Sequence, residues 1–179
     1  MDEKKNSDLT RRNFIGAAAI AGAGVLLTNC AAPTKTYPKL TFMDKAADGA
    51  PLKAGLIGCG GRGSGAAIDF LKAGPNLKIT ALADVFADRV KDCREKLAKE
   101  ASVQVADDHC FVGFDAYKKV LDSDVELVLL ATPPHFRPEH FNAAVDAKKH
   151  VFMEKPVAVD APGVRTVLAA GEKAKQYRL

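Results

Sequence analysis

The chain has 179 residues, of which 47% are hydrophobic and 27% are charged, and its formal net charge is +4. This length and composition are ordinary for a globular protein with one buried core, and they leave room for an additional tail. The positive charge is spread along the chain, and no basic stripe with interleaved aromatic residues occurs. Nucleic-acid binding is therefore unsupported.

The first 32 residues are predicted to be an export signal rather than part of a folded domain. Residues 1–9 are polar and charged, and Thr10-Arg11-Arg12-Asn13-Phe14-Ile15 precedes an apolar run from Gly16 to Leu27. This run is shorter than the roughly 20 helical residues that span a bilayer, and it lacks the polar face of an amphipathic core helix. The arginine pair resembles the twin-arginine signal of bacteria, which implies the twin-arginine translocase as a partner during export.

Two cleavage positions compete at the end of this segment. Leu27-Thr28-Asn29-Cys30 resembles a lipobox, in which the cysteine becomes the lipidated first residue, although Asn29 stands where a small residue is usual. The alternative is cleavage after Ala32. We therefore expect an exported protein that is either periplasmic or anchored to the membrane as a lipoprotein at Cys30. Residues 33–50 contain prolines and no clear periodicity, and are predicted to be a linker.

From Leu52 onward the pattern predicts alternating strands and helices. Strands are predicted at residues 52–57, 77–83, 125–131 and 150–153, with a shorter one at 103–105. Helices are predicted at residues 64–73, 87–100 and 138–149, with a short helix opened by Asp115 and a final helix capped by Asp160. This order predicts the α/β class, with a doubly wound parallel sheet forming a Rossmann domain over residues 51–179.

A glycine motif directly follows the first predicted strand. Gly58, Gly60 and Gly63 occupy the three glycine positions of G-x-G-x-x-G. The first glycine permits a tight turn, the second lets the backbone approach a pyrophosphate, and the third lets the helix and strand pack closely. The helix N-terminus then faces the phosphates. Further cofactor contacts are predicted at Cys59, Gly61 and Arg62, where the guanidinium can pair with a phosphate or stay solvated.

Asp84 follows the second predicted strand. An acidic residue about 20 positions beyond the glycine motif can accept hydrogen bonds from the ribose hydroxyls of adenosine. Its charge would repel a 2′-phosphate, so NAD is favoured over NADP as the cofactor. The alternative role is an N-cap for the helix that begins at Ala87, and the two roles can coexist.

The turn after the fourth predicted strand is Thr132-Pro133-Pro134-His135. Its two prolines favour a rigid, extended turn. The Thr132 hydroxyl can contact the nicotinamide-side ribose. His135 and the nearby His140 are candidates for proton transfer, and capping or packing is the alternative role for each. His135 is also a candidate for a contact with the cofactor.

Glu154-Lys155-Pro156 follows the fifth predicted strand. A lysine just beyond a buried strand is expected to be partly buried, and it suits acid–base chemistry on a hydroxyl or carbonyl group. The alternative is a surface lysine in a loop. Pro156 restricts Lys155 to extended backbone geometry.

Cys59, Cys93 and Cys110 follow the signal segment. An oxidising compartment would permit a disulfide between Cys93 and Cys110, but two separate thiols are favoured. No spacing of cysteine and histidine residues suggests a metal site.

The motifs GLIGCGGRG, ALADVF, ATPPHFRPEH and VFMEKPVAVD, in this order, resemble the Gfo/Idh/MocA oxidoreductases, the family of glucose-fructose oxidoreductase and inositol dehydrogenase. The resemblance implies that Lys155 lies near the nicotinamide and the reacting hydroxyl, and that the Lys155–Pro156 bond is a candidate for the cis form. It places Glu154, Thr132 and Pro133 along the cofactor cleft, and His140 matches a histidine frequent in the helix after the fourth strand.

The resemblance also implies a C-terminal α/β domain that holds the substrate and often mediates homo-oligomerisation. Because a sixth strand should begin where the chain stops at Leu179, we expect the substrate domain to lie outside this chain and the chain alone to be inactive. The expected activity is NAD-dependent oxidation of a CH–OH group in a sugar, cyclitol or derivative. The alternatives are an NAD-dependent glycoside hydrolase, which oxidises, eliminates and reduces again, and a non-catalytic nucleotide-binding protein.

Overall fold

The computed structural model describes residues 50–179, which form a five-stranded parallel sheet covered by helices on both faces. The strands are β1 (Leu52–Ile57), β2 (Leu77–Asp84), β3 (Cys110–Val112), β4 (Leu127–Leu130) and β5 (His150–Met153). The helices are α1 (Gly61–Lys72), α2 (Ala87–Ala101), α3 (Ala116–Asp122), α4 (Arg137–Asp146) and α5 (Ala161–Tyr177), and a short 3₁₀ turn spans Asp107–His109. The predicted α/β Rossmann fold is confirmed for this part of the chain. The predicted signal segment, the lipidation site Cys30 and nearly all of the predicted linker lie outside the described residues.

The sheet is buried on both faces because its central strands are apolar at consecutive positions. In β1, Leu56 packs against α1 and α2, whereas the next residue, Ile57, packs on the opposite face against α3 and α4. Successive side chains of a strand point to opposite faces, so one apolar run supplies both cores. Within residues 50–179, no helix is both long and apolar enough to cross a membrane.

The strand order β3-β2-β1-β4-β5 brings the ends of the strands together at one edge of the sheet. Ile57 at the end of β1 lies opposite Ala83 of β2 and Leu130 of β4, and Leu130 lies opposite Met153 of β5. The direction in which strands are added reverses between β1 and β4, which is where doubly wound sheets bind their ligands. The residues that follow these strand ends therefore form the candidate site.

Two local predictions need correction. The strand predicted at residues 103–105 is wrong, because the third strand is Cys110–Val112, which pairs with Leu82–Asp84. Val105 is fully buried in the core, so packing explains its apolar character without a place in the sheet. The first helix begins at Gly61 rather than at Ser64, since the glycine loop itself forms the first helical turn.

The three cysteines of the described part of the chain are free thiols, so the preference for thiols over a Cys93–Cys110 disulfide is confirmed.

Candidate functional site

A cavity of about 530 Å³ lies at the carboxyl ends of the strands. Six of the predicted site residues line it: Gly58, Gly60, Asp84, Thr132, Pro133 and His140. They come from the turns after β1 and β4, from the last residue of β2 and from the first turns of α4. The sheet register therefore gathers residues that are distant in sequence into one cleft.

The glycine turn accepts no side chain at two of its positions. Gly58 has φ of +99°, and a Cβ atom there would lie 2.7 Å from the carbonyl carbon of Ala131. A Cβ atom on Gly63 would lie 1.8 Å from the carbonyl oxygen of Gly58, so close packing of α1 against the turn requires glycine. At Gly60 a Cβ atom would meet only the Nη1 atom of Arg89, at 3.7 Å. This open space above Gly60 fits the close approach of a pyrophosphate.

The N-terminus of α1 offers free backbone donors to the cleft. Gly60 is the N-cap and makes no side-chain capping bond, and the first intrahelical bond runs from the Ser64 N–H to the Gly60 carbonyl at 2.9 Å. The first-turn N–H groups of Gly61, Arg62 and Gly63 therefore have no partner within the helix. No acidic residue lies in this first turn. The helix dipole and these donors together favour an anion at this position.

Asp84 is held at the end of β2 by two backbone donors. Its Oδ2 atom accepts the N–H of Cys59 at 2.7 Å, and its Oδ1 atom accepts the N–H of Phe86 at 3.1 Å. The N-cap of α2 is Phe86, and its side chain makes no capping hydrogen bond. The alternative role of Asp84 as the N-cap residue is therefore wrong, although its carboxylate accepts the N–H of that residue. A carboxylate has about four lone-pair sites, which leaves acceptor capacity for ribose hydroxyls. The Cys59 side chain is buried in the core, so this residue reaches the site only through its backbone.

Further residues that the sequence pattern did not identify also line the cleft. Those with large side chains include Val85, Phe86, Arg89, Phe114, Tyr117, Phe136 and Arg137. Phe86 and Phe114 are 62% and 70% exposed, which is unusual for phenylalanine and fits a surface that contacts a ligand. Arg89 could have been predicted from its position, because it lies in the first turn of the helix that follows Asp84. A guanidinium there can reach a phosphate on the adenosine ribose.

His140 is buried at the floor of the cleft. Its Nδ1 atom lies 3.3 Å from the Thr132 Oγ1 atom, and its ring packs against Tyr117 with a centroid distance of 4.2 Å. The Tyr117 hydroxyl donates to Glu139 at 2.9 Å. Burial lowers the pKa of His140, and the Glu139 carboxylate partly opposes that effect. The neutral imidazole is therefore the favoured form, and it can hold the Thr132 hydroxyl in place.

The lowered pKa of His140 predicts a pH-dependent stability. A histidine with a depressed folded-state pKa binds its proton more readily in the unfolded chain. The free energy of unfolding should therefore decrease as the pH falls below about 6.5, the value for an unfolded histidine. Urea unfolding at several pH values measures how steeply the free energy of unfolding depends on pH. This slope should be smaller in His140→Gln than in the wild type. Equal slopes in the two proteins above pH 5 would contradict the assignment.

Arg62 and Glu154 form an ion pair across the end of the sheet, between the glycine loop and the residue after β5. The Arg62 side chain is 61% exposed, and its predicted contact with a phosphate stays a prediction. The guanidinium lowers the pKa of the buried Glu154 carboxyl, chiefly through its hydrogen bond. The pair links the start of α1 to the residue after β5.

Lys155 lies in the exposed loop after β5, so the expected partial burial is wrong. The Lys155–Pro156 peptide bond is cis, as the resemblance implied. His135 is also exposed, with its ring edge-on to Phe136, and it does not line the cavity. The proton-transfer roles of Lys155, His135 and His140 stay predictions.

The fold and the cleft define a Rossmann-type dinucleotide-binding protein. Residues 52–178 match the GFO_IDH_MocA family, described as "Oxidoreductase family, NAD-binding Rossmann fold". The chain belongs to this oxidoreductase family, so the resemblance seen in its motifs is confirmed.

Curated relatives and solved structures have different activities. A glycosyl hydrolase family 109 protein of Streptomyces coelicolor is 30% identical over 96% of this chain and 38% of the relative. The inositol 2-dehydrogenase of Salmonella typhimurium is 31% identical over 68% of this chain and 34% of the relative. A 3-ketoreductase from Actinomadura kijaniata, crystallised as a mutant with TDP-benzene and NADP, has a TM-score of 0.54 and 26% identity over 72% of this chain and 37% of its own. The chain spans about a third of the length of these curated relatives.

Proposed function

We propose that this chain is the cofactor-binding part of an NAD-dependent oxidoreductase that acts on a CH–OH group of a sugar, cyclitol or related compound. The observation that supports this most is the sheet register, which aligns the glycine turn, Asp84 and the end of β5 just before Lys155 at one edge. Inositol 2-dehydrogenase among the relatives is consistent with a polyhydroxylated substrate.

Different residues along the cleft bind different parts of the dinucleotide or act on the substrate. The N–H groups at the start of α1 bind the pyrophosphate, and Asp84 binds the adenosine ribose. Thr132, held by His140, contacts the nicotinamide-side ribose. The dinucleotide, when bound, supplies the hydride acceptor. Lys155 takes the proton from the reacting hydroxyl at its Nζ atom.

NAD is the cofactor that Asp84 favours, because its carboxylate would lie against a 2′-phosphate. Arg89 lines the same cleft and can offset that repulsion once the acidic charge is removed. We expect Asp84→Ser to raise the Michaelis constant for NAD by about 10-fold to 100-fold, as the loss of one or two hydrogen bonds to a charged group implies. The ratio of catalytic efficiency with NADP to that with NAD should rise in the same variant.

Asp84→Asn is the matched control for this change. It keeps an oxygen that can accept the Cys59 N–H, so the glycine turn stays supported while the charge disappears. Discrimination against NADP should relax in this variant too. Unchanged preference for NAD over NADP in both variants would contradict the role of Asp84.

A second candidate is an NAD-dependent glycoside hydrolase, in which oxidation and reduction cancel. It is favoured by the glycosyl hydrolase family 109 relatives from Streptomyces coelicolor and Solibacter usitatus. The two functions are separated by an assay of the protein that carries this sequence, with free sugars, cyclitols and chromogenic glycosides. NADH accumulation supports the oxidoreductase, and aglycone release without NADH supports the hydrolase. Tight NAD binding with neither reaction would leave only the non-catalytic alternative.

We also propose that the protein is exported, and that it is either periplasmic or anchored to the membrane as a lipoprotein at Cys30. The support is the arginine pair and the apolar run before that cysteine. An exported enzyme meets no NAD pool, which favours tight retention of the cofactor.

A further inference from the structure

Arg137, the first residue of α4, binds three backbone carbonyls from two different turns. Its Nε atom donates to the Thr132 carbonyl at 2.7 Å. Its Nη1 atom donates to the Glu154 carbonyl at 2.8 Å and to the Pro156 carbonyl at 2.5 Å. The residue is only 6% exposed. One side chain therefore joins the turn after β4 to the turn after β5.

Two of the three acceptors lie on either side of Lys155. The Lys155 side chain itself is exposed, and its ammonium group makes no hydrogen bond or ion pair with the residues that the structure describes. Its position is therefore set by the backbone on both sides, and that backbone is fixed by Arg137. The third acceptor, Thr132, belongs to the cleft wall that faces the nicotinamide end in the proposed function.

An arginine suits this position better than another cation would. Its planar guanidinium carries five N–H donors in a fixed fork and stays protonated, so it can serve several carbonyls with defined geometry. A lysine has the same charge but concentrates its donors on one flexible ammonium. The Glu154 carboxylate, paired with Arg62 nearby, compensates the buried charge, while burial lowers the pKa of Arg137.

We propose that Arg137 is a positioning residue, which holds the backbone on both sides of Lys155 to the Thr132 turn and so fixes the distance between the proton acceptor and the nicotinamide end of the cleft. This inference rests on the proposed function, in which Lys155 takes the substrate proton. A catalytic group displaced by about 1 Å can cost about 100-fold in rate without loss of binding. Arg137 should therefore affect turnover far more than cofactor affinity.

The test uses the protein that carries this sequence, with Arg137→Lys, Arg137→Ala and the control Arg165→Lys, an exposed arginine of α5. We expect Arg137→Lys to lower kcat by about 100-fold. The dissociation constant for NADH, measured by titration calorimetry, should change by less than about 3-fold, because the glycine turn and Asp84 are not contacted. Added guanidinium ion should restore part of the activity of Arg137→Ala and none of that of Lys155→Ala. The control should match the wild type.

Full kcat in Arg137→Lys would overturn the inference, as would equal losses of kcat and NADH affinity, which indicate general disruption. Amide hydrogen exchange provides a readout that needs no turnover: residues 132–136 and 154–157 should exchange faster together in Arg137→Lys, and unchanged exchange would also overturn the inference. If the wild type binds NADH but oxidises no sugar or cyclitol, the proposed function fails. The exchange result then still decides whether Arg137 joins the two turns.

Discussion

Lys155→Ala is expected to lower kcat for NAD-linked oxidation by about 1,000-fold, while the affinity for NADH stays nearly unchanged. A positioned general base typically contributes between about 100-fold and 10,000-fold to the rate. Lys155 lies beyond the end of β5, and its exposed side chain makes no hydrogen bond or ion pair with the residues that the structure describes. Its removal should therefore affect the chemical step alone, which steady-state kinetics and NADH titration can separate.

Two further variants separate proton transfer from charge. Lys155→Arg keeps a cation at the site, but arginine stays protonated, so it cannot accept the substrate proton. It should be nearly as slow as Lys155→Ala. Lys175→Ala removes an exposed lysine of α5 that pairs with Glu172 on the surface, and its kinetics should match those of the wild type. Full activity in Lys155→Ala would end the proposed role of this lysine.

The sheet and the glycine turn could be predicted because local sequence determines both. Leu56 and Ile57 belong to an apolar run whose neighbours are buried on both faces, and such a run indicates a parallel strand whatever its partners are. Gly58 and Gly63 are required by backbone geometry at fixed spacing, so the motif carries its own structural reason. The acidic residue at the end of β2 follows from the same β-α-β unit.

The rest of the site depends on contacts between distant segments. The backbone acceptors of Arg137 are the carbonyls of Thr132, Glu154 and Pro156. Every residue has a backbone carbonyl, so the residue types do not show which carbonyls accept these bonds. The ion pair of Arg62 with Glu154 joins residues 92 positions apart, so spacing alone could not reveal it. Such pairings appear only after the sheet has placed β1 beside β4 and β4 beside β5.

The wrong third strand illustrates the same limit. Val105 is apolar and buried, which matches a strand residue in sequence, yet it lies in a connection that packs against the core. The strand at Cys110–Val112 is only three residues long and half-exposed, so its pattern is weak. Burial and membership of a sheet are separate properties, and a short apolar run reports only the first.

Gly63→Ala is expected to weaken NADH binding by about 100-fold, equivalent to about 2.7 kcal/mol. The added Cβ atom would lie 1.8 Å from the Gly58 carbonyl oxygen, which is backbone and cannot rotate away. The helix and the turn must therefore separate, and the N–H groups at the start of α1 move away from the pyrophosphate. The same overpacking should lower the free energy of unfolding by about 1–3 kcal/mol. Titration calorimetry and urea unfolding measure the two effects.

Gly65→Ala is the matched control, because it adds the same methyl group two residues further along α1. Apart from its chain neighbours and the nearby backbone of α1, no described atom lies within 4 Å of the position that its Cβ atom would take. Alanine is the better helix former by about 0.5–1 kcal/mol, so this variant should be slightly more stable than the wild type and should bind NADH equally well. The two substitutions are chemically identical, yet they are expected to change the free energy of unfolding in opposite directions. This difference separates the effect of close packing at the turn from that of helix propensity. Wild-type NADH affinity in Gly63→Ala would show that the contact between Gly63 and Gly58 does not shape the cofactor site.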